Sequence, residues 1–277
     1  MENTARNQEI KYMEEISLNA WPSYRIELYD GWLLRYSHNY TYRTNSVEQI
    51  GESTIPVSEK ISYCEDVYRA LHCPTNFKIH PLLDPSFDAM LQERGYQVRH
   101  TTEVMTAEIA ALDLMHPEDR EYLFENRLHL PTLVHYENDI TVELKAFVTD
   151  EWLKGLFSLN GTSDPTLRRI VPKMYAAIPK RTIIASIELD GRIVATGLAI
   201  CDREWAGIYA IYVTPSCWKR GYARAVCSTL LREAAELGAV KAYLQVVQGN
   251  VRAKRLYQSM GFEDFYTYWF RSFRGTI

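Results

Sequence analysis

Apolar residues alternate along this chain between helical and extended spacing, and each change of period marks an element. Gln8 to Leu18 repeats at helical spacing and stops at Trp21-Pro22. Three β-rich runs follow, Tyr24 to Leu28, Gly31 to Tyr36 and Tyr40 to Arg43. They are broken at Asp30-Gly31 and His38-Asn39, the turn chemistry of an antiparallel meander. Pro56 opens a helix to about Leu71, with Ile61, Cys64, Val67, Tyr68 and Leu71 on one face. Phe77 to His80 predicts a strand, Ser86 to Arg94 a helix stopped by Gly95, and Gln97 to Ile109 a long strand.

Residues 116–137, with Pro117-Glu118-Asp119-Arg120 and Pro131, predict a connector between a first unit (1–115) and a second (138–277). The second unit predicts a strand at Ile140 to Phe147 and helices at Asp150 to Leu159 and Pro165 to about Ala177. Thr182 to Leu189 and Arg192 to Ile200, joined by Asp190-Gly191, form the clearest hairpin, of type I′. Trp205 to Val213 is a further strand. Gly221 to Leu237 then switches to helical spacing, Val240 to Val247 is a strand, and Asn250 caps a helix to Met260. Gly261-Phe262 leads into a last aromatic strand. The class is α/β, with mixed, mostly antiparallel sheets flanked by helices. Met90-Leu91-Gln92-Glu93-Arg94-Gly95-Tyr96 parallels Leu256-Tyr257-Gln258-Ser259-Met260-Gly261-Phe262, and the same order of elements surrounds both, which predicts a tandem repeat.

Composition changes this picture in three places. With 277 residues the chain holds about 1.8 domains' worth of length, so it admits two cores. Net charge is −4, which argues against a general nucleic-acid partner. The five cysteines show no CxxC spacing, and no apolar run is long enough for a membrane helix or a secretory signal, so a cytoplasmic protein with free thiols and no membrane partner is expected. All seven histidines lie between His38 and His135. The second unit's chemistry therefore proceeds without a His base, a Ser-His-Asp triad or a His-ligated metal, and no metal site is expected.

The informative segment is Ile211-Tyr212-Val213-Thr214-Pro215-Ser216-Cys217-Trp218-Lys219-Arg220-Gly221-Tyr222-Ala223-Arg224. A strand ends, adjacent cations follow, and small residues open a helix whose first-turn amides have no intrahelical partners, an arrangement suited to an anion. The bland reading is a solvated helix start. Further on stands Asn250-Val251-Arg252-Ala253-Lys254-Arg255-Leu256-Tyr257-Gln258-Ser259-Met260-Gly261-Phe262. The two segments together resemble the GNAT superfamily of acyl-CoA N-acyltransferases, which carries a Gln/Arg-x-x-Gly-x-Gly/Ala loop and then Asn-x-x-Ala-x-x-Leu-Tyr-x-x-x-Gly-Phe. The resemblance covers about residues 140–277, and Trp218 departs from it at the first loop position. Trp21-Pro22, Gly31 to Arg35 and Arg43 to Val47 resemble the degenerate front domain of certain tandem GNAT proteins, so two tandem GNAT-like domains are expected.

That resemblance implies acetyl-CoA as cosubstrate and a small amine or peptide as acceptor, in a monomer or homodimer. Backbone groups of Ile211, Tyr212 and Val213 would bond the pantetheine arm at a splayed strand edge, with an N–H near Val213 meeting the developing oxyanion. Lys219, Arg220, Gly221, Tyr222, Ala223 and Arg224 would wrap the pyrophosphate, Asn250 would bond the pantetheine, and Arg252, Lys254 or Arg255 would stand near the adenosine phosphates. Tyr257 matches the family's general acid, which stabilises the departing thiolate. Plain N-capping and plain helix packing are the alternatives for Asn250 and Tyr257. Where some members carry a strand glutamate this chain has Gly207, leaving Glu204 and Glu188 as candidate bases acting through water, or no dedicated base. Cys217 lacks an activator and reads as inert. In the first unit, Gly51-Glu52-Ser53-Thr54-Ile55-Pro56 holds the loop position without cations, and Arg35, Arg43 and Asn45 are candidates to face the acceptor cleft. An N-acetyltransferase leads these readings; an aminoacyl or longer-acyl transferase and a non-catalytic acyl-CoA sensor are the alternatives.

Overall fold

The computed structural model describes residues 2–122 and 132–274. In the first half, helix α1 (Glu2–Ala20) leads to β1 (Arg25–Tyr29), β2 (Trp32–Tyr36), β3 (Val47–Gln49), α2 (Val57–Ala70), β4 (Thr75–Ile79), α3 (Pro85–Glu93) and β5 (Gln97–Glu108). Then come β6 (Asp119–Tyr122), β7 (Thr132–Tyr136) and β8 (Ile140–Lys145), followed by helices α4 (Asp150–Asn160) and α5 (Pro165–Ala176). Strands β9 (Arg181–Leu189), β10 (Arg192–Asp202) and β11 (Trp205–Val213) precede α6 (Tyr222–Glu236), β12 (Lys241–Val247), α7 (Val251–Met260) and β13 (Glu263–Phe273).

Local chemistry accounts for most boundaries. The Asp84 and Asp164 carboxylates accept the amides of Ser86 and Thr166 just ahead of Pro85 and Pro165, and Thr149 caps α4 through the Trp152 amide. The expected hairpin turn at Asp190-Gly191 has both residues at positive φ, 50° and 71°, as a type I′ turn requires. One expected strand does not form. Tyr40 to Arg43 lies in a loop that tightens into a 3-10 turn at Tyr42–Thr44, and the third strand is Val47–Gln49 instead. His38 and Asn39 adopt φ of 49° and 59°, and Asn45 holds the loop by accepting the Ser37 and Asn39 amides at 2.8 and 3.0 Å while donating to the Thr41 carbonyl at 2.7 Å. A side-chain network of this kind competes with ladder bonds. The connector region contributes strands β6 and β7, and its residues 123–131 lie outside the described residues.

The strands form one sheet in the order β1-β2-β3-β4-β13-β5-β12-β11-β10-β9-β8-β7-β6. The final strand of each half has crossed into the other. β5 pairs antiparallel with β12, from Glu108↔Lys241 to Thr102↔Val247, and β13 pairs antiparallel with β4, from Trp269↔Ile79 to Phe273↔Thr75. β5 and β13 pair with each other between them. The repeat is visible in the helix ends. Gly95 and Gly261 sit at φ of 88° and 103°, and Tyr96 and Phe262 donate backbone bonds of 3.0 Å to Leu91 and Tyr257. Leu91, fully buried, thus stands in the first half where Tyr257 stands in the second.

Helices α6 and α7 cover one face of the second half, burying Val226, Leu230 and Tyr257 with Ala206, Ile208, Leu244 and Val246. The opposite face is covered by α4 and α5, packed on Ile184, Leu198 and Ile200, and by α1, whose Ile10, Met13 and Ile16 meet Trp205, Tyr243, Tyr266 and Tyr268.

Candidate functional site

Strands β11 and β12 begin as parallel neighbours and then part. Their pairing runs from Trp205↔Lys241 to Ile208↔Leu244 and stops, although β11 continues to Val213 and β12 to Val247. The five further residues of β11 leave about 15 Å of unpaired backbone edge facing the gap. A bulge helps to turn the strand. Between the pairs Thr196↔Tyr212 and Leu198↔Tyr209, two residues of β11 oppose only Gly197, and Ala210 takes a φ of 51°. Gly197 is obligatory, since a Cβ there would lie 2.4 Å from Val226 and 2.8 Å from Ile211 side-chain atoms. Ile211 and Val213 lie on the α6 side, while Tyr212 is more exposed.

Beyond Val213 a 3-10 turn (Pro215–Cys217) leads to Trp218 and then Lys219, at φ of 64°. Gly221 precedes α6 at φ of 80°, with nothing nearer its missing Cβ than Ile140 at 3.7 Å, so backbone conformation, not space, calls for glycine. The open first turn of α6, Tyr222 to Arg224, presents amides and the positive end of the helix dipole. Lys219 and Arg220 are exposed and have no ion-pair partner among the described residues. Arg224 points elsewhere: its guanidinium binds the Asp113 carboxylate at 2.6 Å and the Ser259 carbonyl at 3.1 Å, tying α6 to the end of α7.

Trp218 links the end of β11 to the start of α7. Its indole N–H donates to the Val213 carbonyl at 2.9 Å, and the Arg252 guanidinium lies 3.6 Å over its ring. Lys254 bridges Glu103 and Asp264 at 2.6 and 2.9 Å. Asn250 caps α7 by accepting the Ala253 amide at 3.2 Å, and Cys217 is buried.

Tyr257 is brought to the α6–α7 face, 7% exposed, with its ring 6.0 Å from that of Phe262. Burial pushes its phenol well above the ordinary range, and its hydroxyl, not sealed from solvent, makes no hydrogen bond to another described residue. Glu204 is not brought to it. Glu204 sits on the β10–β11 turn, where its carbonyl accepts the Val240 and Lys241 amides, about 15 Å along the strand from the point of divergence. At Gly207 a Cβ would meet the Tyr243 and Tyr209 rings at 2.6 and 2.7 Å, so two phenols fill the volume a strand glutamate would need.

The face opposite Tyr257 holds groups that motif reading missed. Tyr209 and Tyr243 share a hydroxyl–hydroxyl bond of 2.6 Å, and burial raises both phenols. Tyr268 donates to Gln245 at 2.9 Å and accepts the Arg43 Nε–H at 2.7 Å. The pairing of β13 with β4 of the first half brings Tyr268 to Arg43. In the first half, the loop before α2 is closed by its own anion: the Asp30 carboxylate accepts the Thr54 and Ile55 amides at 2.9 Å each, and Lys60 adds an ion pair at 3.3 Å. No helix among the described residues is long and apolar enough to cross a membrane.

Comparison with known proteins bears on the family and the fold. A mycobacterial protein described as "Uncharacterized N-acetyltransferase Rv2669" (Mycobacterium tuberculosis) is 35% identical over 91 residues, 32% of this chain; the match spans 57% of that relative's length. A GCN5-related N-acetyltransferase from Kribbella flavida has a similar fold, with TM-score 0.59 at 17% identity, covering 92% of this chain and 91% of that one. A tandem GNAT protein from the clavulanic acid biosynthesis pathway matches at TM-score 0.57 and 10% identity, over 84% and 76% of the two chains. The model of the family described as "Probable histone acetyltransferase Rv0428c C-terminal" matches residues 7–270, so the chain belongs to that family and carries its GNAT-type α/β fold.

Proposed function

We propose that this chain is an N-acetyltransferase that moves an acetyl group from acetyl-CoA to a primary amine of a small-molecule or peptide acceptor by direct attack. One observation carries the reading: the β11–β12 gap opens between an anion-accepting helix start at Gly221 and a buried, unpartnered phenol at Tyr257. These residues fit acetyl-CoA, which supplies the acetyl group as a thioester. The unpaired edge at Ile211, Tyr212 and Val213 suits an amide-bearing arm, with the Val213 carbonyl already committed to Trp218. Lys219, Arg220 and the amides of Gly221, Tyr222 and Ala223 suit the pyrophosphate. Arg224, held by Asp113, shapes that helix start from behind.

Tyr257 keeps its proton throughout the physiological range because burial penalises the phenolate, so its O–H is available where negative charge develops on sulfur. No side chain is assigned as base. Tyr209 and Tyr243 stay protonated for the same reason, so the acceptor amine must reach the gap already neutral. The first half, with Leu91 in place of the acid and Asp30 closing its loop, acts as a non-catalytic wall of the acceptor cleft. Calorimetry with acetyl-CoA followed by thiol release over an amine panel tests the proposal. Binding with turnover that climbs with pH towards the amine's own pKa is expected. Binding without turnover on any acceptor favours a sensor, and absence of binding refutes the reading.

A further inference from the structure

We propose that Arg43, contributed by the first half, is the anion-binding residue of the acceptor subsite, so that the amine acceptor carries a carboxylate; this rests on the acetyltransferase reading above. Arg43 lies on the sheet face opposite Tyr257. Its partner Tyr268 bonds Gln245, one residue past the last β11–β12 pair, and packs in one cluster with Tyr209 of β11 and Tyr243 of β12. It therefore stands beside both arms of the gap.

The chemistry of this group is one-sided. A guanidinium has five N–H donors, and Arg43 uses one, its Nε–H to Tyr268. It has no carboxylate partner among the described residues, and the other cation nearby is spent: Lys78 is held by Glu14 at 2.5 Å and Glu48 at 4.0 Å. The Gln245 carbonyl oxygen is taken by Tyr268, which leaves its amide hydrogens. Tyr209 and Tyr243 share one hydrogen and keep one O–H to give. What remains around Arg43 is neutral phenols and an amide with no carboxylate ion-paired to it among the described residues, and a half-buried cation without a counter-ion is costly unless a ligand supplies one. A single uncommitted guanidinium matches a monoanion in a bidentate fork; a dianionic phosphate calls for a second cation. The loop is also held in advance. The Tyr42 ring packs at a tilt 4.2 Å from His100 and 5.3 Å from Phe270, and the Asn45 network fixes the turn on either side. An acceptor gripped there by its carboxylate presents its amine to the gap.

The test uses the full chain labelled with ¹⁵N-arginine. N-acetylglycine, N-acetyl-β-alanine and N-acetylphenylalanine, as models of acetylated product, are titrated against their amides, with inorganic phosphate as a further arm. The acids should bind at least tenfold tighter than the amides and shift the Arg43 Nε–H resonance. Arg43→Gln should abolish the preference, and Arg43→Lys should retain part of it. Equal binding of acids and amides by the wild type, a preference that survives Arg43→Gln, or tighter binding of phosphate than of the acids overturns the proposal. The wild-type comparison stands even if a variant folds poorly. Acetyl-CoA calorimetry on the same sample separates the two readings. Acid preference without acetyl-CoA binding sinks the acetyltransferase reading alone, and acetyl-CoA binding without acid preference sinks the Arg43 assignment alone.

Discussion

Tyr257→Phe removes one oxygen atom, and the structure says what that oxygen does for folding and what it is left free to do. The ring is packed with Phe262 and the α6–α7 core, and phenylalanine keeps that packing. The hydroxyl makes no hydrogen bond to another described residue and is not sealed from solvent, so its removal breaks no bond within the protein and should leave stability nearly unchanged. Stability should therefore change by less than about 0.5 kcal/mol, a melting shift of under about 2 °C for a chain of this size. Catalysis should respond differently. Loss of a general acid costs about 100-fold in kcat, or about 2.7 kcal/mol in the barrier. Acetyl-CoA affinity should hold, because the phosphate-binding end lies on the loop before α6. The assays are thermal unfolding, calorimetry with acetyl-CoA, and thiol release against pH. The wild-type kcat profile should show no falling limb below about pH 10, since burial raises the phenol and keeps it protonated. An unchanged kcat in a folded variant, or a falling limb near neutrality that the variant loses, refutes the assignment.

Three further outcomes follow from individual contacts. Gly221→Ala forces a Cβ residue to a φ of 80°, so it should cost about 1–2 kcal/mol in denaturant melts and weaken acetyl-CoA binding by displacing the first-turn amides. Gly207→Ala drives a Cβ into Tyr243 and Tyr209 and should destabilise by about 1–3 kcal/mol; an unchanged midpoint means that the phenol pair does not fill that space. Asp88 accepts two bonds of 2.7 Å from Arg271 and one of 3.0 Å from Trp269, which hold its carboxyl below the ordinary range. The stability it adds is present above the unfolded carboxylate pKa and lost as pH falls through the folded one. Asp88→Asn should therefore cost about 2 kcal/mol at pH 7 and flatten the acid limb of stability below about pH 4.

The second half was read from its residues nearly strand for strand, because its signals are local. Trp205 to Val213 alternates cleanly, Asp190-Gly191 encodes its own turn, and Asn250 and Gly261 mark the ends of α7. The seven-residue parallel around Gly95 and Gly261 proved to be one cap built twice. The error at Tyr40 to Arg43 has the same physical origin as the success elsewhere. β-rich residues there suit a strand, but Asn45, at a distance no periodicity reports, gives the backbone better partners as a loop. Glu204 is near the site in sequence, but an extended strand sets it four residues short of the last β11–β12 pair at Ile208.

Sequence alone determined the class of fold and picked out the phosphate-loop segment and Tyr257 as candidates, because each motif lies within one turn or one helix. Only the tertiary structure decided what surrounds them. Pairing across the exchanged strands β5 and β13 set the Tyr268–Gln245 pair beside Arg43, and close packing at Gly207 put phenols where a carboxylate was sought. The Arg43–Tyr268 contact joins residues 225 positions apart. Such contacts are fixed by which strand edge is left open to pair, a property of the assembled sheet that no single stretch of chain contains.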